Sequence, residues 1–373
     1  MYGAIKGAIG QENDESTRYQ DLTGHFAYAD EMKSEEGALP RRRSRPRFVL
    51  AGLRHSGKTS IQKIVFSNMS PSETLFLDPT EKLVKNNVDN SLFTQFQIWD
   101  FPGDTDFSDP NLDSKSIFES CDSLIYVIDA QDNYINALPP LVAIILRSAH
   151  FNPALRFEVF IHKVDSLSAD RQIEVQCEIQ QCVFEELSES KLENVNVTFY
   201  LTSIYDYSIF EAFSKVVQKS IPQLPTLENL LDILSASCQM EKVFLIDTMS
   251  KIYIATDSNP VDMQTLELCS DMIDVVLNLS SIYSGKEESE ANPLSSQESK
   301  TLSVIHLDND MLLYLRETQR CLALVCLFRQ DRFIKPGIIE YNFRTFKTSL
   351  FQVFRVQFES VSGKQEFARR SDD

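Results

Sequence analysis

Eight residues constrain this chain more than any others. Gly52-Leu53-Arg54-His55-Ser56-Gly57-Lys58-Thr59 fits G-x-x-x-x-G-K-[ST] at each fixed position. The apolar run Phe48-Val49-Leu50-Ala51 precedes them and reads as a buried strand. Lys58 to Ser67 follows as a helix with Ile61, Ile64 and Val65 on one side. Strand, curled loop and helix are the context a phosphate cradle needs. Glycines let the backbone curl so that successive N–H groups, here those of His55, Ser56 and Gly57, point inward, and the helix adds its positive N-terminal end. In such a loop Lys58 neutralises the β- and γ-phosphates, the Thr59 hydroxyl ligates Mg²⁺, and Ser60 donates to the α-phosphate. A loop of this kind does not by itself separate ATP from GTP, or a kinase from a switch.

Downstream, short apolar runs alternate with longer helical ones. Phe96 to Trp99, Leu124 to Ile128, Phe157 to Ile161 and Val197 to Leu201 read as strands; 133–149, 168–189 and 207–220 read as helices. Pro139-Pro140 falls inside the first of these helices, so that helix is expected to begin there, with proline in its first turn. The alternation implies crossover units and a mostly parallel sheet with helices on both faces. Ile221-Pro222-Gln223-Leu224-Pro225 breaks the pattern, and a short helix over 226–236 follows. The texture then changes to strands at 242–246 and 251–255, a helix at 261–283, strands at 302–307, 311–316 and 321–328, and a closing helix with Phe343, Phe346, Leu350, Phe351 and Phe354 on one face. These phenylalanines are candidates for packing at a domain or subunit interface. The resulting division is a disordered arm 1–46, an α/β domain 47–222, a linker helix 223–237, an α+β domain 238–358 and a flexible tail 359–373, with 284–300 a mobile loop.

Length and charge narrow the classes further. A chain of 373 residues holds two or three domains at about 150 residues each. Its formal charge of −18 repels phosphate backbones, which argues against general nucleic-acid binding. The longest apolar run, Leu138 to Leu146, is about half a membrane span, and no signal-peptide or lipidation pattern is present, so membrane contact is expected through partners. Seven scattered cysteines without C-x-x-C spacing fit reduced thiols in the cytosol. The basic cluster Arg41-Arg42-Arg43-Ser44-Arg45 is compatible with acidic lipid, an import signal or a solvated tail. His25, His55, His150 and His306 lack metal-ligand spacing.

Three later segments bear on the choice of nucleotide. Trp99-Asp100-Phe101-Pro102-Gly103 closes a strand with the form D-x-x-G, where Asp100 can hold a Mg²⁺-bound water and the Gly103 N–H can reach the γ-phosphate. His162-Lys163-Val164-Asp165 closes another strand and resembles the guanine-reading N-K-x-D motif, with His in place of Asn. A carboxylate there accepts from the guanine N1 and N2 groups, and adenine offers no such donor pair. Thr202-Ser203-Ile204 resembles the fifth motif of GTPases, in which a backbone N–H meets the guanine O6.

These motifs, together with Phe199 to Asp206, Leu224 to Leu231 and Lys251 to Ser258, resemble the RagC/RagD branch of the Rag GTPases from about residue 47 to 356. The resemblance implies a Ras-like GTPase domain binding GTP/GDP with Mg²⁺, followed by a roadblock-type dimerisation domain. It implies a heterodimer with a RagA/RagB-type subunit, held on the lysosome by the Ragulator scaffold and recruiting the target-of-rapamycin kinase complex when amino acids are plentiful. This subunit then acts when GDP-loaded, with the folliculin complex stimulating hydrolysis; cytoplasm, lysosomal surface and nucleus are the implied locations. Carried over by motif, Thr80 of Asp78-Pro79-Thr80 is the switch threonine that joins Thr59 and Asp100 at the metal, and Thr74 is a second switch residue. Nucleotide state would then order or release 70–85 and 103–115.

One position departs from the family pattern. Where its members carry Gln to orient the attacking water, this chain has Asp104, which repels the γ-phosphate and cannot donate. The catalytic set Lys58, Gly103 and Asp104 therefore implies slow, partner-dependent hydrolysis. Alternatives are a nucleotide-bound scaffold with negligible turnover and, against Asp165, a P-loop ATPase or small-molecule kinase.

Overall fold

The computed structural model describes residues 45–91, 94–107, 109, 112–190, 195–283, 302–307, 309–319, 321–333 and 336–369. The arm, apart from Arg45 and Pro46, and the 284–300 loop lie outside these residues. Arg45, the last of the basic cluster, pairs with Asp89 at 2.7 Å.

The first sheet has six strands in the order β2-β3-β1-β4-β5-β6. They are β1 (Arg47–Ala51), β2 (Val84–Asp89), β3 (Gln95–Asp100), β4 (Ser123–Asp129), β5 (Arg156–His162) and β6 (Val197–Thr202). Only the edge strand β2 runs antiparallel, paired with β3. The five expected strands all form. β2 has no counterpart in the sequence reading: Val-Lys-Asn-Asn-Val-Asp carries too little apolar surface to show a strand, and edge position lets it stay polar. The short helix α2 (Ser114–Glu119) is likewise new. Helices α1 (Lys58–Ser67), α3 (Leu138–Phe151), α4 (Ala169–Glu189) and α5 (Ser208–Gln218) cover the faces. As expected, the Pro139-Pro140 pair stands in the first turn of α3, and a 3₁₀ turn, Tyr134–Ala137, takes the place of the helix start at 133. β4 is buried along almost its whole length, as a strand covered on both faces must be. Within β5 the fully buried Glu158 is matched by Lys219, whose Nζ lies 2.9 and 2.8 Å from its two oxygens. Removing the lysine would leave a buried charge, at a cost of about 3–5 kcal/mol.

Helix α6 (Leu224–Cys238) leads to an antiparallel sheet in the order β8-β7-β11-β10-β9. Its strands are β7 (Lys242–Asp247), β8 (Tyr253–Thr256), β9 (Leu302–His306), β10 (Met311–Gln319) and β11 (Leu322–Arg329). With α7 (Met263–Tyr283) and α8 (Pro336–Arg369) the order β-β-α-β-β-β-α is the expected one, and the architecture is consistent with a roadblock-type domain. β8 starts two residues later than expected because Lys251 takes a left-handed turn, φ 57°. Helix α8 continues past residue 358 to Arg369. Phe343, Phe346 and Leu350 are buried with Leu227, Leu231 and Leu234 of α6 and with the sheet, so the chain's own linker helix occupies much of the phenylalanine face. Phe351 is exposed, and the Phe354 side chain lies outside the described residues. Both sheets belong to one compact unit, Ser44–Asp373. Among the described residues no helix is long and apolar enough to cross a membrane.

The chain leaves β1 between β3 on one side and β4 on the other, so strand order reverses there and a crevice opens at the carboxyl ends of the strands. The Gly52–Thr59 loop lies at that crevice.

Candidate functional site

His55 and Gly57 both adopt left-handed backbone, φ 63° and 101°. Gly57 caps α1 without any side-chain hydrogen bond, and the first turn of α1 holds no acidic residue, so its positive end is left for an anion. Gly57 has a further reason to lack a side chain: a Cβ would stand 2.7 Å from His162 Cδ2. Gly103 shows the same economy. Its Cβ would meet the Arg54 nitrogen at 2.3 Å, so the D-x-x-G turn lies backbone against backbone on the phosphate loop. Lys58 is buried and donates to the carbonyls of Gly52 (2.9 Å) and Leu53 (2.8 Å). Burial lowers its pKa to about 8, against the pull of the Asp100 and Asp104 carboxylates. The ammonium is thus held by loop carbonyls that phosphate oxygens can replace.

Beside it, the Thr59 hydroxyl donates to Asp100 Oδ2 at 2.6 Å and lies 2.7 Å from Thr80 Oγ1. With its proton committed to Asp100, Thr59 accepts from Thr80. Asp100 is fully buried, and its Oδ1 has no hydrogen-bond partner. Burial raises its pKa, opposed by the Thr59 hydroxyl and Lys58. An orphaned carboxylate oxygen beside two hydroxyls is a hard oxygen set, and it fits a small divalent cation. Among the described residues no group of three or more His, Cys, Asp or Glu side chains exists to cage a metal. The ion would have to share its shell with phosphate oxygens and water, as Mg²⁺ does.

At the other end, His162 is buried behind the phosphate loop, its Nδ1 3.1 Å from Thr202 Oγ1. Burial and the neighbouring Lys163 charge lower its pKa to about 4, so it is neutral. It fills the Asn position of the motif by packing on Gly57. Asp165 is exposed, and its Oδ1 accepts the Ser203 hydroxyl at 2.8 Å. That bond aims the carboxylate and leaves Oδ2 for a ligand. Ser203 Oγ also accepts the Tyr205 N–H at 3.1 Å, which shapes the turn carrying Ile204.

A cleft of about 480 Å³ joins the two ends. Of the residues singled out in the sequence, His55, Gly57, Lys58, Thr59, Ser60, Thr74, Thr80, Gly103, His162, Lys163, Asp165 and Ile204 line it. Ser56, Asp100 and Ser203 do not: each is buried behind the wall, supporting Lys58, Thr59 and Asp165 respectively. Asp104 is exposed and off the wall, though its charge reaches Lys58. Thr74 lines the cleft, but its hydroxyl is turned to the Pro71 carbonyl, 2.7 Å away, within the 3₁₀ turn Glu73–Phe76. Sequence reasoning missed Arg54, Leu75, Leu77, Gln131 and Tyr205 on the wall. Gln131 belongs to no motif; only its place after β4, on the far side of the strand reversal, signals it.

Residues 47–273 match the family described as the Gtr1/RagA G protein conserved region. The chain is 54% identical over 313 residues to Ras-related GTP-binding protein C of Mus musculus, covering 84% of this chain and 78% of that one. It is 52% identical over 325 residues to Ras-related GTP-binding protein D of Mus musculus, covering 87% and 72%. Against GTP-binding protein gtr2 of Schizosaccharomyces pombe the identity is 51% over 310 residues, covering 83% and 98%. A cleft with a phosphate loop at one end and an aimed acid at the other, on a chain so related, belongs to a GTP-binding regulatory GTPase of the Rag family, in its RagC/RagD branch.

Proposed function

We propose that this GTPase is the RagC/RagD-type half of a heterodimer with a RagA/RagB-type subunit, and that its nucleotide state controls recruitment of the target-of-rapamycin kinase complex at lysosomes in response to amino acids. The Thr59–Thr80–Asp100 contact carries the reading. It joins the phosphate loop, the 70–85 segment and the end of β3 at one point, so a ligand that occupies this point acts on all three. Mg²⁺, when bound there, supplies positive charge to the β- and γ-phosphate oxygens. Around it Lys58 exchanges its carbonyl partners for phosphate, the Gly103 N–H faces the γ-phosphate, Ser60 serves the α-phosphate, and Asp165 reads the base. Asp104 stands where a water-orienting amide is needed and supplies only an acceptor, which makes intrinsic hydrolysis slow and leaves turnover to a partner such as the folliculin complex.

Exposed apolar residues on α7 provide the surface for the partner subunit. The Ragulator scaffold then supplies the lysosomal location, with cytoplasmic and nuclear pools for the unattached complex. A second reading, a nucleotide-bound scaffold with negligible turnover, is favoured by Asp104 alone. The test is to co-purify the chain with a RagA-type subunit, identify the bound nucleotide, and follow radiolabelled GTP with and without a folliculin-type activator. Guanosine nucleotide in a one-to-one complex, with turnover raised by the activator, supports the switch. Turnover that no activator raises leaves the scaffold.

A further inference from the structure

Three residues in a row at the end of β4, Asp129 to Gln131, bond to His162 and Lys163, and the motifs do not account for them. Asp129 ends β4 and divides its carboxylate: Oδ1 accepts the Gln131 N–H at 2.9 Å, while Oδ2 pairs with the Lys163 ammonium. Gln131 then reaches over with its side chain, Nε2 donating to the Lys163 carbonyl at 2.8 Å. Between them, the Ala130 N–H bonds the His162 carbonyl at 2.8 Å. The Lys163 ammonium has a second bond, to the His55 carbonyl in the phosphate loop, at 2.9 Å. Lys163 itself is left-handed, φ 64°, a conformation that a residue with a Cβ adopts only when its surroundings hold it there.

Each bond has a consequence for the cleft. Lys163 lies two residues before Asp165, so its backbone sets where the base-reading carboxylate starts. Its side chain ends on the loop that cradles phosphate. It therefore straps together the two ends of the cleft that a nucleotide must leave at once. The loop 129–131 grips both ends of the strap, the carbonyl through Gln131 and the ammonium through Asp129. Asp129 is half-buried and does not line the cleft, whereas Gln131 lies on the wall and is otherwise exposed.

We infer that Asp129 and Gln131 are positioning residues that hold Lys163 as a strap between the phosphate loop and the base-reading loop, and so set how slowly a bound guanine nucleotide leaves. The inference rests on guanine-nucleotide binding in this cleft. Because the strap lies away from the γ-phosphate end, its loss acts on GDP and GTP alike and leaves the hydrolytic step alone.

The experiment loads the full chain with a fluorescent N-methylanthraniloyl derivative of GDP or GTP and chases it with excess unlabelled GDP. Asp129→Asn keeps an acceptor for Gln131 but removes the charge that holds the ammonium; it should release both nucleotides about tenfold faster. Gln131→Ala, a change at an exposed side chain, should release both about threefold faster. Asp129→Glu should recover most of the slow release, and single-turnover hydrolysis of GTP should stay within about twofold throughout. Unchanged release in both variants, with normal binding by the parent chain, overturns the strap. Faster release confined to GTP, or a parallel fall in hydrolysis, also overturns it, since the loop would then be serving the γ-phosphate or the fold as a whole. Failure of the parent chain to bind either probe would instead overturn the guanine reading beneath it.

Discussion

The two sheets of this molecule are finished in different ways. The first is parallel apart from β2, its central strands are buried on both faces, and what it leaves open is a concave cleft at the ends of its strands. The second is antiparallel. Its α6/α8 side is covered by two helices, and its other side, among the described residues, by α7. What it leaves exposed is apolar: Val275, Leu279 and Ile282 stand on one stripe of α7, and Leu302 and Val304 of the edge strand β9 face the other side of the sheet. A cleft lined with hydroxyls, a lysine and carboxylates calls for a small charged ligand. An exposed apolar stripe calls for another protein. On the heterodimer reading proposed above, the difference teaches that one chain can divide its functions by fold class, with chemistry in the parallel half and assembly in the antiparallel half.

The sharpest way to break that division is to change the cleft and ask whether assembly notices. Asp165→Asn removes the acceptor for two guanine donors while keeping the side-chain shape. GTP affinity should fall about a hundredfold, with affinity for the xanthosine nucleotide rising, because an unmatched buried polar pair is discriminated strongly. Equilibrium binding of the two nucleotides checks this, and retained GTP preference would sink the guanine assignment. Association with a RagA-type subunit should be unaffected.

The reverse experiment alters the face. Leu279→Asp with Ile282→Asp places two charges on a stripe whose members are 47% and 70% exposed, so folding has little to lose. Subunit association should weaken about thirtyfold or more, measured by sedimentation or light scattering, while GDP release stays at its parent rate. If nucleotide release accelerates in step, the two halves are not separable. There is a physical route for such coupling. Asp247 at the end of β7 accepts Thr94 at 2.5 Å and Asn90 at 3.3 Å from the β2–β3 turn, and Tyr207, just past the base-reading loop, donates to Asp271 of α7 at 2.6 Å.

How much of this could be read from the chain beforehand depended on whether a residue's role is local. The phosphate loop, β1, β3 to β6 and the order of the second sheet were legible because spacing and apolar period act within a few residues. Edge strand β2 was not, because its register comes from β3 and not from its own polar side chains. Within the site, the motifs placed Lys58, Thr59, Thr80, His162 and Asp165 together. They could not tell which residues form the wall and which stand buried behind it, as Asp100 and Ser203 do, bonded to Thr59 and Asp165. Asp129 and Gln131 were invisible for a related reason: their partner is 32 or more residues away, and only the β4–β5 pairing brings it near. The α8 phenylalanines were noticed, but a sequence gives no sign that α6 folds back to cover them.

A smaller effect sharpens the chemistry of the cleft. Asp104→Gln restores a side chain that can both donate and accept beside the attacking water. Single-turnover hydrolysis should quicken about tenfold, with subunit association unchanged. An unchanged rate would remove the argument that Asp104 is what slows hydrolysis.

The smallest expected effect concerns protons, and it separates the two halves without a mutation. In the free protein, burial lowers the Lys58 pKa from 10.5 to about 8. Between those values the unfolded chain holds a proton that the folded one has lost, so this lysine's contribution to stability rises with pH across that window. Below about pH 8 the cost of burying the charge is fully present. A polyphosphate reverses the bias, because its oxygens favour the ammonium. Binding therefore takes up a proton, and affinity falls as pH rises through the free value. From pH 7.5 to 8.5 the loss should be about threefold, with uptake of about half a proton at pH 8. Calorimetric titration of GDP in two buffers of unlike ionisation heat measures that uptake directly. In Asp104→Gln, which lacks one of the charges raising Lys58, the uptake should move to lower pH. Subunit association through the proposed apolar stripe should be flat over the same range. A flat profile for GDP as well would mean that Asp100 already keeps the free lysine charged, and the cleft would then be poised by an ion pair and not by desolvation.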